Sequence, residues 1–231
     1  MTKVLCILAV SAIVGIVACG DSLGPDSPPP GPPSLQATVT NPLFPRPLGR
    51  TLVYNTQTAN GLEVDSVEVL AHPAGVNGFA VTEVHDRLYV AGSLTEDTYD
   101  WYAQDPDGNV WYLGEDTKEY DQGVLVSTEG TWQWGVHNAL PGIIAWGDPT
   151  PMIAKLYRQE FDRGNAQDVG KVIALDQSVT VPYGTFTGCV KTEEWSTLES
   201  APHETKFYCP QIGVALEVLS GDSTKLVSVS P

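Results

Sequence analysis

From about residue 50 to the C-terminus, apolar and polar residues alternate in short runs rich in β-branched and aromatic side chains. Gly, Pro and Asx-Gly pairs interrupt these runs every 8–15 residues. Alternation at period two marks strands with one buried face, and regular turn punctuation marks an all-β domain. The pattern predicts strands near 50–58, 62–71, 78–90, 94–104, 109–119, 123–132, 155–162, 168–180, 185–196, 203–209 and 212–219. No stretch carries a convincing helical stripe. Residues 155–169 (KLYRQEFDRGNAQDV) are the most ambiguous and leave room for a short helix. The expected fold class is all-β: a curved antiparallel sheet, open barrel or sandwich, in a single domain over residues 41–231.

One hairpin can be derived residue by residue. In Asp105-Pro106-Asp107-Gly108-Asn109, Pro106 is pre-set for the second position of a type I turn and Gly108 supplies the left-handed residue that follows. The turn pairs Gln104 with Val110, Ala103 with Trp111, Tyr102 with Tyr112 and Trp101 with Leu113. One face then carries Tyr99, Trp101, Ala103, Trp111 and Leu113 and reads as core. The other carries Asp100, Tyr102, Gln104, Val110 and Tyr112. It is amphipathic: either a solvated sheet face or the lining of a concave ligand surface. Residues 140–149 (LPGIIAWGDP) are apolar yet full of breakers. They read as a loop, either plugging the end of a barrel or covering a pocket. Tyr102, Tyr112, Gln104 and Trp146 are thus the candidate ligand-binding residues.

The N-terminus has a different pattern. Met1-Thr2-Lys3 carries one positive charge, and an apolar run from Val4 to Ala18 follows. A spanning helix needs about 20 apolar residues, so residues 1–18 read as a signal peptide. The run ends in Ile16-Val17-Ala18-Cys19, which resembles the lipobox of bacterial lipoproteins. By that resemblance Cys19 is lipidated and becomes the mature N-terminus, anchoring the chain to a membrane. Residues 19–40 then form a tether, with prolines at 25, 28, 29, 30, 32 and 33 favouring extended polyproline II. Gly20-Asp21-Ser22-Leu23 matches a serine-esterase signature, but it sits on this linker. None of His72, His85, His137 or His203 has Asp three residues before it, as such esterases require. Ser22 is read as tether.

Charge and cysteine usage narrow the function classes. The chain has 28 acidic and 12 basic residues, a formal charge of −16; cleavage before Cys19 removes Lys3 and no acid, moving this to −17. Such a surface repels phosphate backbones, which excludes nucleic acid as a natural partner. With Cys6 in the signal and Cys19 lipidated, Cys189 and Cys209 remain. They stand symmetrically about residue 199, inside a turn-like segment, so they face each other across two antiparallel strands as a disulfide pair.

Candidate chemistry is sparse. Asp105, Asp107 and Asn109 place three oxygen ligands at alternate positions, a set that calcium accepts; the turn itself explains the same residues. No other cofactor is indicated. The acids Glu96, Asp97, Asp100, Glu115, Asp116, Glu119, Asp121, Glu193 and Glu194 could supply a hydrolytic pair, with Trp101, Trp132, Trp134 and Trp195 as sugar platforms. An acidic solvated surface is the simpler reading.

The segment Asp100–Thr117 (DWYAQDPDGNVWYLGEDT) resembles a recurring piece of secreted, often lipidated bacterial proteins. Asn41-Pro42-Leu43-Phe44-Pro45, Tyr157-Arg158-Gln159-Glu160, Val181-Pro182-Tyr183-Gly184 and Cys209-Pro210-Gln211-Ile212-Gly213 fit the same group. Met152-Ile153-Ala154-Lys155 departs from the Gly-Asp type of sequence expected there. The resemblance implies an antiparallel β-domain exported to the cell envelope and implies no activity. The expectation is a lipid-anchored envelope protein that binds a hydrophobic or amphipathic ligand or an envelope partner. The alternatives are a carboxylate-dependent hydrolase and a purely structural module.

Overall fold

The computed structural model describes residues 31–32, 34–72, 74–198 and 202–231. Residues 1–18, read above as a signal peptide, Cys19, Ser22 and most of the segment read as a tether lie outside them. Sixteen strands follow one another: β1 Thr51–Thr58, β2 Gly61–Val69, β3 Ala74–Val76, β4 Phe79–Val90, β5 Ser93–Gln104, β6 Val110–Asp121, β7 Val124–Ser127 and β8 Trp132–Gln133 make the first half. The second half is β9 Leu140–Ala145, β10 Leu156–Arg158, β11 Glu160–Phe161, β12 Asp168–Val181, β13 Gly184–Ser196, β14 Glu204–Cys209, β15 Gly213–Leu219 and β16 Asp222–Ser230. All pair antiparallel, in the order β10-β12-β13-β14-β15-β16-β1-β2-β4-β5-β6-β9-β11, with β3 beside β4 and β7 and β8 beside β6. The sheet curls into a nearly closed barrel. Its one unsealed seam lies where β10 and β11 meet at Gln159, the bend between them.

Most connections are tight hairpins, so the two ends of the barrel can be told apart by their turns. Ala91-Gly92 and Gln122-Gly123 take positive φ at both positions, the conformation whose twist matches paired strands. These turns and those after β1, β13 and β15 lie at one end, called here the mouth. The turns at 105–109, 182–183 and 210–212 lie at the other. That end is closed by residues 36–50, part of which the sequence assigns to the tether. Gln36 bridges to Gln104, Asn41 Nδ2 donates to the carbonyls of Gly108 and Trp146, and Gln211 N donates to Pro42 O. Val39 and Phe44 are buried, and Phe44 packs edge-on against Tyr102 with ring centroids 5.2 Å apart.

Several elements differ from the sequence reading. Residues 140–145 are neither plug nor lid: they are β9, a wall strand between β6 and β11. Residues 123–132 split into β7 and β8, and 155–162 into β10 and β11; no helix forms in 155–169. The short β3 and the last strand β16 went unpredicted, the latter because its Ser, Thr and Lys content mutes the alternation.

The hairpin derived above keeps its expected register from Gln104↔Val110 to Tyr102↔Tyr112, but Trp101 faces Gly114, not Leu113. Leu113 is the extra residue of a β-bulge. Both faces of this hairpin are buried. Ala103 and Leu113 join Val76, Val81, Trp101 and Trp134 in a small outer core, while Tyr102, Val110 and Tyr112 join the barrel interior. Cys189 and Cys209 are disulfide-bonded across β13 and β14, Cα atoms 4.2 Å apart.

Candidate functional site

The barrel interior is divided along its axis. Toward the closed end it is apolar and aromatic: Leu52, Val67, Val84, Val172, Val190 and Leu226 pack with Tyr54, Tyr102 and Tyr208. Toward the mouth the same strands turn inward Asp65, Asp86, Asp100, Glu115, Asp168, Glu194, Glu204, Lys206 and Glu217. The acids the sequence assigned to a solvated face therefore include interior groups: Asp100 and Glu194 are buried.

The β-bulge explains Glu115. Counted regularly from the turn, Glu115 would lie on the outer face; the extra residue Leu113 sets it opposite Asp100, pointing in. A bulge re-aims every side chain beyond it. Gly114 makes this possible. Its φ is +142°, and a Cβ there would come within 2.5 Å of the Trp132 carbonyl of β8.

Between these acids and the aromatic layer lies a cavity of about 380 Å³. Tyr102 and Tyr112 stack at 5.0 Å beside it. Glu115, Ile144, Glu160 and Asp168 form one side, Glu194, Glu204 and Lys206 another, and Trp195, Ser196, Pro202 and Leu219 stand at the mouth. Gln159, at the seam, also lines it.

Burial in a low-dielectric interior disfavours charge, so these carboxyls titrate high. Burial, then the neighbouring Asp100, pushes Glu115 up to about 8, against a hydrogen bond from Thr117 Oγ1 at 2.8 Å. Burial and then Asp86 push Asp100 up to about 7, although Tyr112 Oη donates to it at 2.5 Å. Burial, then Asp168 and Glu115, holds Glu160 well above the carboxylate range, and burial also raises Asp168. Asp65 and Asp86 hydrogen-bond to each other and both rise, mainly through burial, Asp65 to about 6.

Lys206 is the counter-charge. Its Nζ lies 3.1 Å from Glu204, 3.6 Å from Glu194 and 3.9 Å from Glu217. Burial works against its charge, but Glu217, Glu204 and Glu194 outweigh it and hold the ammonium above its usual range. Glu194 also accepts from Thr192 Oγ1 at 2.7 Å and Tyr208 Oη at 2.9 Å. Two carboxyl environments therefore share one cavity: hydrogen-bonded and salt-bridged around Glu194, and desolvated around Glu115 and Glu160, with no basic partner among the described residues.

The candidate residues read from sequence separate here. Tyr102 and Tyr112 line the cavity. Gln104 does not: its Oε1 accepts from Thr40 N and Asn41 N, both at 2.8 Å, and so fixes the closing segment. Trp146 packs edge-on to Tyr157 at 5.5 Å, deeper in the apolar zone and outside the cavity lining. The calcium set does not converge. Asp105 accepts from Asp107 N, Asn109 N and Nδ2, and Trp111 Nε1 at 2.8–3.0 Å, and Asn109 Oδ1 accepts from Gly147 N at 2.9 Å. These atoms serve the turn. Among the described residues no group of three or more His, Cys, Asp or Glu is arranged to hold a metal ion. His85 stacks on Tyr99 and meets Asp97, and His203 stacks on Trp195 at 4.1 Å and meets Glu193 at 3.1 Å.

Gln159, Glu160, Asp168, Glu204, Lys206 and Glu217 were not singled out from sequence. One signal was available: Glu204, Lys206 and Tyr208 share a strand face, so the charges are in phase with an aromatic residue that must be buried.

Among solved structures, a "putative exported protein with YmcC-like fold" from Bacteroides fragilis is similar with TM-score 0.48 and 14% identity, over 81% of this chain and 98% of that one. A "putative lipoprotein" from Parabacteroides distasonis is similar with TM-score 0.38 and 15% identity, over 84% and 100%. No protein family and no curated protein matches the sequence.

Proposed function

We propose that the protein is an exported, lipid-anchored binding module of the bacterial cell envelope, which takes an amphipathic ligand into the mouth of its barrel. The lipobox-like run ending at Cys19 supports the anchor, and the Cys189–Cys209 bond suits an oxidising compartment. The observation that carries binding is the cavity. The closed half of the barrel is filled with packed side chains, whereas the mouth half leaves about 380 Å³ between stacked tyrosines and convergent polar groups. Barrel mouths are a preferred place for ligand sites. The lining moves the reading away from a purely apolar ligand, because carboxyls cover much of it.

Native mass spectrometry of the exported full chain, extracted in mild detergent, tests this. The expected spectrum contains a discrete mass above the lipidated chain that disappears on denaturation. The same chain mass before and after denaturation would overturn the reading.

The contrast between the desolvated Glu115 and Glu160 and the salt-bridged, hydrogen-bonded Glu194 favours a second reading, a hydrolase that uses two carboxyls in unlike environments. In that case Glu115→Gln would abolish turnover of a glycosidic substrate while the bound mass persisted.

A further inference from the structure

Glu115, Glu160 and Asp168 share one side of the cavity and perturb one another through space. Lys206 lies on the other side, occupied by Glu194, Glu204 and Glu217. Asp168 feels Lys206 across the cavity, but Glu115 and Glu160 meet no basic side chain among the described residues. Beside them stands Gln159, whose side chain is 4% exposed and whose Nε2 has no hydrogen-bond partner. A buried amide donor without an acceptor is unfavourable, so an arriving acceptor would gain by meeting it. Gln159 cannot turn away easily. Its backbone is pinned by the bond from its N to Asp168 O at 2.9 Å and by Gly142, where a Cβ would meet the Gln159 carbonyl carbon at 2.4 Å.

An acidic wall and a free donor select the ligand by chemistry. An anion would be repelled by the carboxyls. A bare metal ion lacks a ligand set among the described residues. A neutral polyol could meet the donor but would leave the carboxyls in the protonated form that burial imposes on them. An organic cation meets both.

We propose that the cavity binds a small organic cation, its protonated amine seated among Glu115, Glu160 and Asp168 and an oxygen of the same molecule accepting from Gln159 Nε2. The inference rests on the ligand-binding reading above and adds the ligand class. Tyr112 lines the cavity beside these carboxyls and offers aromatic surface to the ligand's carbon skeleton. An arriving ammonium favours the ionised carboxyls. Glu115, which sits at about 8 without a cation, then releases its proton. Asp100 behind Tyr112, and Glu194, Glu204 and Lys206 across the cavity, are further charges facing the site.

The test uses three sugars of one shape: glucosamine as cation, glucose as neutral and glucuronate as anion. They are titrated into the purified full chain at pH 7 by calorimetry in two buffers of different ionisation heat. Glucosamine is expected to bind at least ten-fold more tightly than glucose, glucuronate not at all, and proton release to accompany glucosamine alone. The double variant Glu115→Gln/Glu160→Gln is expected to lose the glucosamine preference while still folding, because neutral carboxamides suit a buried site. Gln159→Leu is expected to weaken glucosamine several-fold without changing the proton release. Equal binding of glucose and glucosamine would overturn the cation class and leave the binding module standing. Binding of none of the three would overturn the cation class as well; the native mass spectrum then decides separately whether the cavity binds anything.

Discussion

At the residue scale, the interior charges are the main finding. Lys206 stands between Glu194, Glu204 and Glu217, and removing it leaves three carboxyls facing one another. Breaking a buried pair by deleting one partner costs about 3–5 kcal/mol. About a quarter of the Lys206 side chain reaches solvent, so Lys206→Met is expected to cost ~2–3 kcal/mol, read as a lower denaturant midpoint at pH 7. An unchanged midpoint would mean that the cluster is already neutralised by protons. The tyrosines of the site were legible in sequence because a Pro-Asp-Gly turn fixes the register next to it. Glu160, Asp168 and Gln159 were not legible, because they enter the site from the seam, where no turn chemistry sets a register. A carboxylate in a sequence carries no mark of the face it will take.

At the element scale, the bulge in β6 decides the site. Alternation predicts the strand and its first three pairs correctly, and then one extra residue inverts the rest. Strict period two sets Leu113 opposite Trp101 and would put Glu115 on the face of Trp111 and Leu113, away from Asp100. The signal that could have revealed it is Gly114, a glycine inside an otherwise good strand. Gly114→Ala forces a side chain into the Trp132 backbone at a positive φ. It is expected to cost ~2–4 kcal/mol and to weaken ligand binding with it. Thermal unfolding and calorimetry check the two effects together. A variant that stays stable but loses binding would show that Gly114 serves the cavity and not the wall. The segment 140–149 misled for a related reason. Its Pro and Gly residues are turn formers in isolation, but Pro141 and Gly142 sit within a wall strand here. Gly142 is needed there because the Gln159 backbone crosses close above it.

At the scale of the whole molecule, the chain places its acids inside as well as outside. Asp65, Asp100, Glu115 and Glu217 sit at about 6, 7, 8 and 8, all raised chiefly by burial. A folded-state value above the unfolded one means that the native state binds more protons than the unfolded chain. Stability from such groups is full below their unfolded values and is lost as pH rises through the folded ones. The unliganded protein is therefore expected to lose stability steadily from about pH 4.5 to about pH 8, by ~2 kcal/mol or more over that window. Urea midpoints across this range check it. A midpoint that rises with pH would contradict the interior placement of these acids. A bound cation should flatten the same curve, because it supplies the charge that the protons otherwise provide.

The closure of one barrel end by residues 36–50 fixes how the molecule is presented. The chain enters the fold at Gln36, beside Gln104, on the closed side. The anchor proposed at Cys19 would therefore hold the barrel by its sealed base, with the opening directed away from the bilayer. A ligand would arrive from the aqueous side opposite the anchor, not out of the supporting leaflet. Held this way, the protein would be a cup turned toward whatever the cell meets or passes across that space.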